Sequence, residues 1–538
     1  MKIGKEPHEI MEEMEKGIRQ NQRLTENGLY EDVEQYENFY AGRQWEGVNA
    51  PNLEKPVLNF TYRVVSYCIS MLVSDDIGVE IRPFRRTEEA ARSTALLGRE
   101  VERAIERSRL KTKLRQSLKD AAVDGDCCMY LWTDLDRQTG QTARGEIACE
   151  GIENTKVLFG DPYTPEVQAQ PYLLILRRRQ LDRARELARE NGAGEEAERI
   201  QPDSESLYGE DSRSEDLVTC VTKLWKEKGT VRWKEVCRSC EIQKERDTGY
   251  RIYPLAWMPW AARRGSYHGR GILEGMIPNQ IFVNKMWAMM MVQVKNTSFP
   301  KIFYDKTLLP NGWNNRVADA IGVNGPPDRV VAQNVRPAEM SAQALDLVEK
   351  TISYTKDYMG ANDVALGNVR PENTSAIIAT QKASSAPLEL QRLGYYQFVE
   401  DIVRVMCEIM RCDYGVRMAV MEDESGTLQE QLVDFSALDL DQMELNVEVG
   451  MSSYWSEITQ QQSADNLLKA GVIQDAADYL ERLPDKWVKD KAGLLRKLRE
   501  RQAMAGTGAA PLNAAVGDPG IAAGAMADLS QGQGMVTG

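Results

Sequence analysis

IFVNKMWAMMMVQV, residues Ile281–Val294, is the stretch on which the fold turns. It runs for 14 residues, short of the ~18 that read as a membrane span, and Asn284, Lys285 and Gln293 interrupt it. It reads as the middle of a long helix rather than a transmembrane segment. Pro278 suits the first turn, where its missing N–H costs nothing, and the pattern carries on to Ser298. Met286, Trp287, Met289, Met290, Met291 and Val292 leave few polar positions, so this helix is predicted to be covered on several sides.

Downstream, residues 299–337 are rich in Pro, Gly and Asn and read as a compact loop-and-strand insertion. A second helix is predicted from near Pro337, with Leu345, Val348, Ile352 and Met359 at helical spacing. The link Ala361–Glu372, ANDVALGNVRPE, offers little for burial, and Gly360, Asn362, Gly367 and Asn368 tolerate positive φ. A protruding loop is expected there. Asn373, Thr374 or Ser375 then caps a third, long helix, kinked at Pro387 because the ring removes a backbone donor. Tyr395, Phe398, Ile402, Val405, Ile409 and Cys412 step by three and four as its packing seam. Strands follow at Met418–Glu422 and Leu445–Val449, then short helices around Ser463–Gly471 and Ala476–Leu483 and a basic one to Gln502. Residues 503–538 hold ten Ala, eight Gly and two charges, too little to build a core, and are expected to be disordered.

Upstream, Tyr36, Phe39 and Tyr40 share one face of a helix that Gly42 stops, and Leu58–Leu72 is a second apolar segment. Val79–Phe84 is strand-like. One long charged helix is predicted over Thr87–Val123, striped by Leu96, Leu97, Val101, Ile105 and Leu110. Between Arg85 and Lys119 it carries 11 Lys/Arg against 5 Asp/Glu, read as a solvated face. Strands are expected at Cys127–Asp134, in the returning GEIACEGI, at Pro171–Arg179, Val218–Trp225 and Val231–Val236. A short helix ends at Asn191-Gly192. Residues 191–216, with nine acids and two arginines, read as a mobile surface loop. The fold class is α+β.

Composition narrows the function. The 538 residues carry 67 Lys+Arg against 81 Asp+Glu, a net charge of −14, unlike a protein that wraps DNA with its whole surface. Two histidines, His8 and His268, exclude a multi-histidine metal centre and make triad chemistry improbable. Nine cysteines, an odd number in a long chain, read as reduced thiols. The N-terminus has no apolar core of the signal-peptide kind. No GxxxxGK[ST] loop occurs, so no ATPase phosphate cradle is recognisable. Gly269-Arg270-Gly271…Gly275 has the wrong spacing for a dinucleotide loop and reads as a turn before the Pro278 helix. Cys237-Arg238-Ser239-Cys240 is a lone CxxC, two ligands short of a zinc site. Cys127 and Cys128 point to opposite faces of a strand, and Asp134 and Asp136 flank a turn. No catalytic, cofactor-binding or metal residue emerges.

The order of elements resembles the portal proteins of tailed bacteriophages, rings that sit at one capsid vertex. YENFYAGRQW (Tyr36–Trp45) followed by LNFTYRVVSYCISMLVS (Leu58–Ser74) is similar to the family's opening pattern. LKTKLRQSLKDAAVDGDCCMYLW (Leu110–Trp132) resembles its helix-to-strand step. HGRGILEGMIPNQIFVNKM (His268–Met286) resembles the start of its first stem helix, and GNVRPENTSAIIATQKASSAPLE (Gly367–Glu389) its passage from tunnel loop to kinked helix. The resemblance covers roughly residues 30–490.

It implies a wing at 1–270 with returning strands at 416–450, a first stem helix at 271–298, a clip at 299–337 and a second stem helix at 338–359. A tunnel loop would follow at 360–372, a kinked helix at 373–415, crown helices at 451–502 and a tail at 503–538. It further implies a non-enzymatic homo-oligomeric ring, twelve subunits in the family, without a cofactor. The ring would be the conduit for DNA packaging by the large terminase and for genome ejection. Other implied partners are head–tail adaptors, scaffold, major capsid protein and the double-stranded DNA in the channel. The implied location is the virion, after assembly in the host cytoplasm, with no membrane. By the same implication, Asn362, Asp363, Val364, Leu366, Asn368 and Arg370 line the channel, Met286, Trp287, Met290, Leu345, Val348 and Ile352 pack stem and subunits, and Pro387 sets the kink. Two other readings stand beside it: a head–tail adaptor ring lacking the hairpin, and an intracellular enzyme with an unrecognised site.

Overall fold

The computed structural model divides into two units, Met1–Met451 and Ser452–Gly538. It describes residues 3–51, 53–73, 77–83, 88–138, 145–192, 194–203, 216–298, 301–309, 324–326, 332–335, 342–361, 386–422, 428–438, 440 and 443–449 of the first. Of the second it describes only the helical residues 479–480, 491, 493–495 and 497–498. The short helices expected after Ser463 and the tail from 503 otherwise lie outside the described residues.

The first unit opens with three helices, α1 (Pro7–Gln22), α2 (Leu29–Ala41) and α3 (Phe60–Val73). Gly42 adopts φ 85° and ends α2 as a left-handed cap, as its sequence position predicts. Strand β1 (Ile77–Pro83) pairs antiparallel with β14 (Met443–Val449), so the far end of the unit returns to its beginning, after a two-stranded antiparallel sheet of β12 (Val416–Glu422) and β13 (Leu428–Asp434) that contains the strand predicted at Met418–Glu422.

The charged segment then corrects the sequence reading. It forms two helices, α4 (Glu88–Arg107) and α5 (Leu110–Asp124), because Arg109 takes a left-handed conformation at φ 53°. The break lets α4 pack on β1 while α5 packs on α3 and on β2 (Asp126–Asp134). Leu97, Val101 and Ile105 from one helix and Leu110, Leu114 and Leu118 from the other all reach the same core. No glycine or proline marks the break, which is why periodicity runs straight through it.

Two antiparallel sheets make the β-layers. The first has the order β3 (Glu146–Ile152), β2, β9 (Leu255–Pro259). Cys127 and Cys128 are both buried there because α5 and α10 (Glu389–Asp413) cover β2. The second has the order β4 (Val157–Phe159), β5 (Tyr172–Gln180), β6 (Leu217–Glu227), β7 (Thr230–Val236), β8 (Glu241–Asp247). β8 escaped the sequence reading because it is an edge strand whose last four residues are exposed and polar or charged, without alternation. Helix α1 lies on this sheet through Ile10, Met11 and Met14, which share a core with Tyr172, Leu174 and Trp225. Lys223, fully buried on β6, fastens it by donating to the Gly4 carbonyl (2.6 Å) and to Glu13, and burial lowers its pKa.

Residues 191–216 also depart from expectation in part. Helix α6 (Leu181–Glu190) is followed by α7 (Gly194–Ala197), and Ala197 and Ile200 are buried with Ala184 and Ala188 of α6. Four small or branched apolar side chains thus anchor the start of an acidic stretch whose residues 204–215 lie outside the described set.

Helix α10 carries the predicted seam. Tyr395, Phe398, Ile402, Val405 and Ile409 are buried against β9, β2, β14, α3 and α4, while Cys412 stays half-buried. Pro387 sits in a 3-10 turn, Ala386–Leu388, that leads into α10. The helix expected before Pro387, and with it the expected kink, lies outside the described residues. Phe398 is 1% exposed, so Phe398→Ala should cost about 3–5 kcal/mol by removing ring contacts and leaving a cavity. A fall in the denaturant midpoint with unchanged slope would register that loss.

Candidate assembly surface

The root of the central helix is set by close backbone approaches. Asp126, at the start of β2, accepts the Gly269 N–H (2.6 Å) and lies 2.8 Å from Nδ1 of His268, with both side chains fully buried. The Ile272 N–H donates to the Ala122 carbonyl at the end of α5. A Cβ on Gly271 would lie 2.5 Å from the Val123 carbonyl oxygen and 2.8 Å from that of Ala122, both backbone atoms. Close backbone approach is thus the reason for Gly271, and for Gly269, whose Cβ would lie 2.8 Å from the Ala261 and Gly125 carbonyl oxygens, in the run that superficially suggests a dinucleotide loop. Gly271→Ala should therefore cost about 1–3 kcal/mol as overpacking, seen as a lower melting temperature.

From this root rises α8 (Ile277–Ser298), within one residue of the predicted start. Strands β10 (Lys301–Tyr304) and β11 (Ala332–Val335) pair antiparallel in the expected insertion, and α9 (Ala342–Tyr358) packs back on α8. Asn279 donates to Thr355 Oγ1 (2.9 Å) near the root, whereas Met290 and Val348 share a cluster farther out, so the helices are antiparallel. A buried amide network ties α8 to the segment between α2 and α3. Gln280 donates to the Leu58 carbonyl (2.8 Å) and to Asn284 Oδ1 (3.0 Å), and Asn284 donates to Gln44 Oε1 (2.6 Å). Asn284, one of the polar residues that interrupt the apolar run, stays buried because it is paired.

The expected packing residues divide between inside and outside. Met290 and Val348 are buried within the hairpin with Phe60 and Val283, and Met286, Trp287 and Ile352 are half-buried against them. Leu345 is exposed. The indole Nε1 of Trp287 is buried and has no hydrogen-bond partner among the described residues, although indole N–H groups in interiors normally find one. Sequence reasoning missed a second apolar row on α9, in which Leu347, Tyr354 and Tyr358 are 51%, 65% and 90% exposed. The i, i+7, i+11 spacing was the available signal; the neighbouring Leu345–Val348–Ile352 row hid it. Met289, Met291 and Val294 are exposed on α8, so the chain by itself does not cover this helix on several sides. An open groove of about 390 Å³ runs along α9 beside the root of α8, lined by Asn279, Thr351, Tyr354, Thr355 and Tyr358 among others.

Asn362, Asp363, Val364, Leu366, Asn368 and Arg370 lie outside the described residues. The structure shows how the preceding helix ends: Gly360 has φ 72°, and the N–H of buried Ala361 closes on the Lys356 carbonyl. Among the described residues no helix is long and apolar enough to cross a membrane. Glu37, Asp120 and Asp124 cluster closely enough to hold a cation, but Lys119 already pairs with Glu37 and Asp120.

An α+β body bearing a helical hairpin with adjacent uncovered apolar side chains has the surface chemistry of a subunit that binds other chains. Comparison with protein families adds an independent observation. Residues 210–411, from the acidic stretch before β6 to the last turns of α10, match the model of the phage P22-like portal protein family. That match supports the resemblance to portal proteins of tailed bacteriophages drawn from the sequence, over somewhat more than a third of the chain. No curated protein matches the chain.

Proposed function

We propose that the chain is the portal subunit of a tailed phage, assembling into a ring of about twelve copies at one capsid vertex. Through that ring the large terminase drives DNA inward and the genome later leaves, and to it head–tail adaptors and tail proteins attach. Scaffold and major capsid protein are its partners during head assembly. The observation that carries this reading is the family match over 210–411, which brackets the whole α8–β10–β11–α9 hairpin.

In this reading α8 and α9 form the stem and the insertion between them the clip. Residues 1–270 with the returning strands form the wing, and 360–372 the tunnel loop. The exposed Met289, Met291, Val294, Leu347, Tyr354 and Tyr358 become the faces that a neighbouring subunit covers, and the lone Trp287 indole finds an acceptor there. The acidic balance suits a conduit, since a duplex must slide rather than adhere, and repulsion beyond ~8–10 Å is screened. The subunit does no chemistry of its own in this role; packaging energy comes from the terminase.

Steady-state ATP hydrolysis by the isolated chain tests the last point. Turnover no higher than a buffer blank is expected, because the sequence has no phosphate cradle. Turnover that disappears on changing a single residue would instead favour an enzyme.

A further inference from the structure

The CxxC at residues 237–240 lies outside the α8–α9 hairpin and belongs to no metal cluster found among the described residues. It forms the tip of the β7–β8 hairpin, between the paired Val236 and Glu241. The Cys237 N–H donates to the Cys240 carbonyl (2.9 Å), which turns both side chains to the same side, and their Sγ atoms lie 3.7 Å apart. Both thiols are buried with Ala197, Ile200 and Cys220, while Arg238 and Ser239 at the tip are exposed. All nine cysteines are free.

We propose that Cys237 and Cys240 are a modification site, a dithiol that closes to an intra-hairpin disulfide when the protein meets an oxidising disulfide such as oxidised glutathione. The sulfurs need approach only from 3.7 Å to about 2.05 Å, and the hairpin already holds the backbone of the two residues together. Cys237 is the attacking group. The hydrogen bond it shares with Cys240 and those of the loop backbone hold its pKa below the usual thiol value, whereas its partner and burial push the Cys240 thiol up. The Cys237 thiolate attacks one sulfur of glutathione disulfide and releases a glutathione thiolate. The Cys240 sulfur then gives up its proton, attacks the Cys237 sulfur and releases the second glutathione. One S–S bond breaks and one forms; the two protein thiol protons end on two glutathione molecules. Oxidant reaches the pair through the exposed tip by local opening. The inference is independent of the portal reading.

The sequence supplies its own assay, because Arg238 lies between the cysteines. Trypsin cuts there and after Lys234 and Lys244, so an oxidised chain yields Glu235–Arg238 and Ser239–Lys244 as one disulfide-linked pair. The full-length protein is incubated with excess oxidised glutathione, unreacted thiols are alkylated, and the digest is read by mass spectrometry. The linked pair is expected as the main form of these peptides, splitting on reduction and persisting in Cys220→Ser. Both peptides fully alkylated, Cys237 stopped as a glutathione adduct, or a link from either cysteine to Cys220 would overturn the proposal.

Discussion

In the portal reading, replacing Leu347, Tyr354 and Tyr358 together by serine should convert rings into monomers of 60.7 kDa that melt as the parent chain does. The three side chains are 51%, 65% and 90% exposed, so the folded chain gains little from them, and exposed substitutions usually stay within about 0.5 kcal/mol each. A large apolar or aromatic side chain at the centre of an interface, in contrast, costs about 2 kcal/mol or more when truncated. Three such losses weaken each contact by about 6 kcal/mol, which is roughly four decades in affinity. In a closed ring every interface is the same, so every contact is weakened. Light scattering after size exclusion separates the outcomes. Intact rings would remove the hairpin's outer face from the assembly surface, and a large fall in melting temperature would mean that the row supports the fold instead.

Exchanging residues 362–372 for a short Gly-Ser turn should leave rings intact and reduce the nuclease-protected DNA in assembled heads severalfold. The expectation comes from sequence: between helices with apolar seams, this link offers Val364, Leu366 and Val369 for burial and Arg370 as its single cation. Buried Ala361 is retained because it finishes the C-terminal turn of α9. If the segment touches the passing duplex, packaging fails while assembly does not. Failed assembly would place the segment between subunits, and normal packaging by normal rings would take away both roles.

The elements most legible in the sequence are those whose pattern reports one local cause. Pro278 and the apolar run locate α8 to within a residue, and the three-and-four steps from Tyr395 to Ile409 predict the buried face of α10. Gly42 marks the end of α2 through its required positive φ. The α4–α5 break was illegible because a left-handed arginine has no sequence signature, and tertiary packing of two helices on different partners imposes it. Likewise β8 lacks alternation because an edge strand keeps only one neighbour and faces water. At the candidate surface, sequence showed that α8 has too much apolar surface for a lone helix. It could not divide Val348 and Met290, spent inside the hairpin, from Leu347, Tyr354 and Tyr358, left outside it. That division depends on the rotation of α9 about its axis, which hydrogen bonds such as Asn279 to Thr355 fix in three dimensions.

Negative-stain imaging of the purified full-length chain tests the central claim most directly. The portal reading predicts turbine-like rings with a central hole and about twelve-fold symmetry in end views. A compact monomer or dimer at micromolar concentration, with no rings, would contradict it.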